Sequence, residues 1–413
     1  MSIPRDLGGV RVSAGVDWAK ADHVVCVVGA EGEVIERFGV AHDGAGLKRM
    51  TARLLRAGVG QVGIERGDGP VVAALLAAGL TVYVIPPGQV KNLRSRYGSA
   101  GNKDDRFDAY VLADVVRTDA RRLRPMIFDS EATTTMRASV RARRDLVSAR
   151  VAVANQLLAH LQGVFPAAST LFSAMHKAVT LSFLEQFTTQ EHADRLTVDG
   201  LGSWLTSVSY RGRVSPQVLH ARLTAAPRGV VGATAAIHAV TTLALVAVLR
   251  SLNTQIQVLA DSITEQLGTH PDRATFTSLP RSGTIRAARL LAEIGDARGR
   301  FPTPNSLAAL AGVVPSTRRS GKSESVVFRW AADKQLRDAL CDFAADSRRT
   351  NPWAAHLYDQ ARARGHDHPH AVRVLARAWV TVIWRCWQDH TPYDPTTHRA
   401  LQTLLNQDQQ EAA

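Results

Sequence analysis

Cysteine is scarce: Cys26, Cys341 and Cys386 are the only three in 413 residues, far apart and without a CxxC pair. That excludes a disulfide framework or a zinc ribbon and fits a reducing compartment. The N-terminal stretch MSIPRDLGGVRVSAGVDW lacks the basic segment and apolar run of a secretory signal, so a cytoplasmic protein is expected. No internal repeat is visible, and no low-complexity tract beyond a short polar tail, NQDQQEAA. Acidic residues are in deficit, 37 against 50 Lys and Arg, giving a formal charge of +13 and a pI near 10.3. Polyanions are the partners this balance favours. One uncharged stretch, Gly229 to Leu249, has the length of a bilayer span. Its Ala and Thr content, His238 and the polar-faced helical pattern that follows favour a buried or coiled-coil helix, so no membrane is expected.

What is present is an ordinary folded composition, 45% hydrophobic and 21% charged, in a chain long enough for roughly two to three domains. Residues 10–40 alternate apolar and polar positions in three runs, VRVSAGVDW, HVVCVVGA and EVIERFGV, which predicts three consecutive antiparallel strands. From Gly44 a helical pattern leads to a strand ending in VGIE, a helix (PVVAALLAAG), a strand (LTVYVIP) and more helix. An antiparallel meander followed by β-α units is the order of the ribonuclease-H-like fold.

After Asp129 the strands are expected to cease. Residues 136–162 repeat apolar positions at helical spacing and stop at Phe165-Pro166. A second long helix carries Val246, Leu249, Leu252, Ile256, Leu259, Ile263 and Leu267 at intervals of three and four. The pair predicts an antiparallel coiled-coil stalk over 129–270, with a helical insertion at 167–228. The division is then 1–128, 129–270 and 271–413.

Acidic residues mark the strand ends. Asp17 closes the first strand in GVDWAK and Glu65 the fourth in VGIERGDG, and these strands are neighbours in a ribonuclease-H-like sheet. In GNKDDRFDAYVLADVV, Asp105 and Asp108 share a helical face, as do Asp104 and Asp108, so spacing leaves the pair open. Crowded carboxylates repel one another, and hard Mg²⁺ ions relieve this; two bridged ions suit phosphoryl transfer. The same residues also fit a structural role, ending a strand, starting a turn and capping a helix. In KNLRSRYGSAGNK, Arg94, Arg96 and Tyr97 could track a nucleic-acid backbone or form a solvated loop. Trp379, Trp384 and Trp387, at helical spacing, predict a packed core or interface.

With GVDWAK, GIERG and KDDRFDA in its N-terminal half, the chain resembles the DEDD-type transposases of bacterial mobile elements, the insertion-sequence one-ten family, which includes the RNA-guided bridge recombinases. The C-terminal half adds LPRSG, AEIGD, RF, AGVVP and RRSGKS, matching the family's second domain. The resemblance covers most of the chain. It implies an N-terminal ribonuclease-H-like (RuvC-like) α/β domain, the coiled-coil stalk and a helical C-terminal serine transposase domain.

By the same resemblance Asp17, Glu65, Asp105 and Asp108 would bind Mg²⁺, two ions by expectation, and Ser320 would be the nucleophile. From the residues alone, Ser316, Ser323 and Ser325 are equal candidates. Arg318, Arg319 and Lys322 supply a positive field for phosphodiester attack. The implied partners are donor and target DNA, a non-coding RNA from the element, and further copies of the chain as a dimer assembling to a tetramer. One departure stands out: LPRSG places Arg281 and Ser282 where the family has glycine and an apolar residue, in what looks like a helix-hairpin-helix turn that offers N–H groups to phosphate.

Overall fold

The alternating runs pair as their periodicity requires. β1 (Val12–Trp18), β2 (Asp22–Val28) and β3 (Val34–Ala41) form an antiparallel meander. β4 (Val59–Ile64) and β5 (Thr81–Val84) join in parallel on the other side of β1, giving the order β3-β2-β1-β4-β5. This computed structural model describes residues 12–97, 104–320 and 323–411. The mixed sheet is the ribonuclease-H-like arrangement expected from the sequence.

Both faces of the sheet are covered, which is why its strands carry so many apolar residues. Ala14 and Val16 of β1 share a core with Met50 and Leu54 of α1 (Gly44–Arg56) and Leu75 of α2 (Pro70–Ala77). The helix α3 (Pro87–Arg94) follows β5, and α4 (Asp105–Asp119) covers the opposite face. There the backbones nearly touch: a Cβ on Gly15 would lie 2.0 Å from the Ala109 carbonyl oxygen, and one on Gly63 would lie 2.6 Å from that of Leu112.

The chain divides into two compact units, at Phe128 and Asp129. In the second, α5 (Glu131–Val164) and α11 (Ala233–Thr269) are the long helices. Paired side chains fix their direction. Thr133 meets His270 at 2.9 Å, Gln266 donates to Ser139 at 3.1 Å, Arg150 donates to Asn253 at 3.3 Å, and His160 meets Thr242 at 3.1 Å. The helices are therefore antiparallel. By length and composition α11 could cross a membrane; here it lies along α5 with these polar contacts at intervals.

Two cores form at opposite ends of the helix pair. Five short helices, α6 to α10 (Pro166–Leu171, Ala178–Gln186, Gln190–Asp194, Val198–Ser207 and Pro216–Ala225), bury Phe165, Phe183 and Trp204 with Leu157 and Leu161 of α5 and Val246 and Leu249 of α11. At the other end Met136, Val140, Ile263 and Leu267 join the C-terminal helices. These are α12 (Arg273–Thr277), α13 (Gly283–Ile294), α14 (Pro304–Leu310), α15 (Lys334–Ser347), α16 (Pro352–Ala363), α17 (His368–Gln388) and α18 (Arg399–Glu411). Trp379 and Trp387 are fully buried, their indole N–H groups donating to Ser347 Oγ and the Gly295 carbonyl.

One expectation fails: strands do not cease after Asp129. β6 (Ser316–Ser320) and β7 (Ser323–Val327) form an antiparallel hairpin, with Ser316 opposite Val327 and Ser320 opposite Ser323. Each strand has five residues, mostly Ser, Arg and Glu, so neither shows the apolar alternation that marks a half-buried strand.

The tight α4–sheet contact makes a clear expectation. Gly15→Ala should destabilise the protein by roughly 3 kcal/mol, because only backbone movement can admit the methyl group. Gly60→Ala, in the neighbouring strand β4 but facing open space, should stay close to wild type. Urea denaturation of the two variants checks this, and equal midpoints would remove the argument.

Candidate functional site

The parallel register of β1 and β4 sets Val16 opposite Ile64. The next residue on each path is an acid, Asp17 near the end of β1 and Glu65 just past β4, so the two stand on neighbouring strands at the same end of the sheet. Asp104 is the N-cap of α4, its side chain accepting from the Arg106 N–H at 3.1 Å. Asp105 is the first residue of the helix, and Asp108, one turn later, is 3% exposed. Burial pushes the Asp17 carboxyl up from 3.8 to about 7, with the charges of Asp105, Asp108 and Glu65 adding to the rise and Arg94 opposing it. Asp104 is thus engaged in the cap, while Asp105 and Asp108 are the α4 acids whose charge reaches Asp17.

Arg94, at the end of α3, lies in the stretch that the sequence leaves open between tracking a nucleic-acid backbone and forming a solvated loop; it instead donates from Nε and a terminal nitrogen to both oxygens of Asp108. Tyr97 also turns inward. Its hydroxyl donates to Asp114, which accepts from Arg117 Nε at 2.7 Å, and its ring meets Phe107 and Tyr110 edge-on. Burial and the Asp114 hydrogen bond push the phenol well up. Arg96 contacts Thr118 and Asp119 on the same helix. Two buried carboxylates on one helix draw in the nearest donors, since an unpaired buried charge is costly. The sequence signal for Arg94 was its place in a basic stretch before an acidic helix; the pairing itself is tertiary.

Among the described residues, no three His, Cys, Asp or Glu side chains stand close enough to hold a metal ion as they are. The donor chemistry nevertheless fits a hard divalent cation. All four groups are carboxylates, and burial, with their crowding added to it, leaves Asp17 holding a proton more readily than an ordinary aspartate does.

In the second unit, Ser320 ends β6. Its side chain, that of Arg318, and residue Lys322 lie outside the described residues. Arg319 is exposed, opposite Glu324 in the hairpin. Arg281 adopts φ +54°, a left-handed conformation costing about 1–2 kcal/mol in a residue with a Cβ. Its guanidinium is held by Asp346 at 3.0 Å. The turn between α12 and α13 therefore forms despite the arginine. The charged face of α17 is partly occupied as well: Arg377 donates to Asn305, and Arg373 lies 5.0 Å over the Phe328 ring.

The raised Asp17 pKa carries a sign. Between about pH 4 and pH 7 the folded protein retains a proton that the unfolded chain has lost, so metal-free stability should fall as pH rises through this window. Asp17→Asn should flatten that fall. Urea denaturation at several pH values with a chelator present tests it, and an unchanged slope in the variant would sink the assignment.

Residues 14–166 match a DEDD-type IS110 family model described as a transposase, and residues 273–359 match the model for the transposase IS116/IS110/IS902 family. The chain is 30% identical over 417 residues to the mini-circle putative transposase for IS117 of Streptomyces coelicolor, covering 96% of this chain and 98% of that protein. It is 28% identical over 401 residues to the insertion element IS900 uncharacterized 42 kDa protein of Mycobacterium paratuberculosis, covering 94% and 98%. A 44.8 kDa protein of insertion element IS116 from Streptomyces clavuligerus matches at the same identity and coverage. With both halves matched, and with acids placed at the ends of β1 and β4 and the start of α4, the chain belongs to the IS110 family of transposases.

Proposed function

We propose that this transposase is a site-specific DNA recombinase that excises and inserts its mobile element, guided by a non-coding RNA from that element. The observation that carries the reading is the convergence of charge on Asp17, where burial and three further carboxylates hold the pKa at about 7. Such crowding suits cation binding. Asp17, Glu65, Asp105 and Asp108 would hold Mg²⁺, two ions in this reading, and the bound metal would stabilise the attacking and leaving oxygens of a DNA strand.

Ser320 attacks a DNA phosphorus through Oγ, losing its proton to a base or to solvent. The bond to the 3′ oxygen breaks, which leaves a phosphoserine link and a free 3′-hydroxyl. A 3′-hydroxyl from the partner strand then attacks the phosphoserine, restoring the serine and joining the strands. Arg318, Arg319 and Lys322, adjacent in sequence, offset the charge that builds on the phosphate. The assembly is a dimer pairing to a tetramer, the acids of one protomer working with the serine-bearing half of another. Exposed apolar side chains on α11, Ile237 at 71% and Val240 at 69%, support self-association through the long helices, which supercoil in this reading.

The test uses labelled donor and target DNA with Mg²⁺ and co-expressed element RNA, with adducts resolved on a denaturing gel. Wild type should form a covalent protein–DNA adduct that Ser320→Ala and Asp17→Ala both lose. Strand cutting without an adduct, at equal rate in Ser320→Ala, would replace this reading with a junction nuclease using water. Binding without cutting or adduct would leave a nucleic-acid scaffold.

A further inference from the structure

Trp330 is the most exposed large apolar side chain among the described residues, at 82%. It stands three residues past β7, in the run Phe328-Arg329-Trp330. An indole left in water forgoes the burial that large aromatic side chains ordinarily gain. Trp204, Trp353, Trp379 and Trp387, by contrast, are buried. The chain around Trp330 is pinned. The Asp333 N–H donates to the Leu310 carbonyl at 2.8 Å, and Arg337 donates to the Arg329 carbonyl at 3.2 Å. A Cβ on Gly312 would lie 2.4 Å from that of Ala332, so the segment packs directly on the turn after α14. Two guanidiniums lie over Phe328, that of Arg337 at 4.7 Å and that of Arg373 on α17 at 5.0 Å from the ring centre. The Phe328 ring in turn meets Trp330 edge-on at 4.8 Å. The indole is thus held outward on a built support.

Charge decides what fits the ring. Among the described residues Arg329, Arg337 and Arg373 form no ion pair; their contacts are to the Ala331 and Arg329 carbonyls and to the Phe328 ring. The Nε of Arg337 is buried without a hydrogen-bond partner. A guanidinium resting on a ring face keeps its edge N–H groups for an anion. A second copy of this chain, with a formal charge of +13, would bring like charge to the patch. An exposed indole set among arginines that lack carboxylate partners suits an unpaired nucleobase, its π-face on the ring and its phosphates on the guanidiniums.

We propose that Trp330 stacks on an unpaired base of a strand running along the β6–β7 hairpin, with Arg329 and Arg373 taking the flanking phosphates. Ser320 is four residues from Ser316 on β6, about 14 Å at strand rise, and Ser316 faces Val327. A strand with its reacting phosphate at Ser320 therefore presents to Trp330 a base roughly four to seven nucleotides away. Trp330 is a positioning residue in this scheme: holding one base out of its pair keeps the strand beside the serine open. The inference deepens the proposed recombination and rests on it for the place of the strand, while the base contact itself needs no chemistry.

Full-length protein in EDTA is titrated with labelled single-stranded DNA, single-stranded RNA and duplex DNA of one sequence, at several salt concentrations. Trp330→Ala should weaken single-strand binding by about tenfold, with duplex binding and the salt slope kept, and Trp330→Phe should recover most of the loss. Arg373→Gln should weaken binding to all three and lower the slope of log affinity against log salt by about one. Acrylamide quenching gives a direct readout: single strand should shield the indole emission of wild type and not that of Trp330→Phe. A loss on DNA alone or on RNA alone supports the contact and names the strand it holds. No loss in Trp330→Ala, an equal loss on single strand and duplex, an unshielded indole, or an unchanged slope in Arg373→Gln overturns it. So does a fall in mass by light scattering for Trp330→Ala without nucleic acid, which would make the ring a contact between copies. Since the ring is exposed, thermal melts of Trp330→Ala should match wild type. Neither Asp17 nor Ser320 is needed, so a failed recombination assay leaves this result standing.

Discussion

The close contact between α4 and the sheet is the constraint on which the acidic centre depends. Gly15 and Gly63 let helix backbone lie where a side chain would otherwise stand. That proximity carries the first turn of α4 into the field of the acids ending β1 and following β4. The result is an electrostatically unfavourable arrangement held in place by packing. Val111, Leu112 and Val115 bury one side of the helix, and Ala109 and Ala113 meet Cys26 and Val28 on the sheet. Apolar burial contributes the free energy that the crowded carboxylates take away.

The chain answers that repulsion in two ways. Asp17 holds its proton up to about neutral pH, and Arg94 covers Asp108. Both responses are reversible substitutes for external positive charge, one a proton and the other a guanidinium. Arg94 sits at the end of a short helix whose remaining apolar anchors are Val90, fully buried, and the partly buried Leu93.

Much of this was legible in the sequence because period-2 patterning and strand-end acids are local signals. The meander, the β-α units and the positions of Asp17 and Glu65 follow from alternation and turn residues alone. The long helices were also readable, since Met136, Leu157, Ile256 and Ile263 recur at helical spacing. The choice between Asp104 and Asp105 was not, because both share a face with Asp108 and only the cap distinguishes their tasks. For Arg94 and Tyr97 the pattern left a nucleic-acid-tracking stretch and a solvated loop open, and neither turns them inward, because their partners lie 14 and 17 residues away, across a turn that local pattern cannot close. The β6–β7 hairpin was missed because its residues show no apolar alternation, and the sequence carries no trace of backbone pairing alone.

The insertion between α5 and α11 has a consequence for how such a chain can change. Its two ends meet, with the Val230 N–H donating to the Val164 carbonyl at 2.9 Å, so some sixty residues leave and rejoin the antiparallel pair at one point. A segment joined in this way can be lengthened, shortened or exchanged without redirecting either long helix. The restriction is the shared core: Leu157, Leu161, Val246 and Leu249 stay covered only if the replacement brings an apolar face of its own. The junction is thus a socket with a fixed fitting, open to new modules that can cap those four side chains.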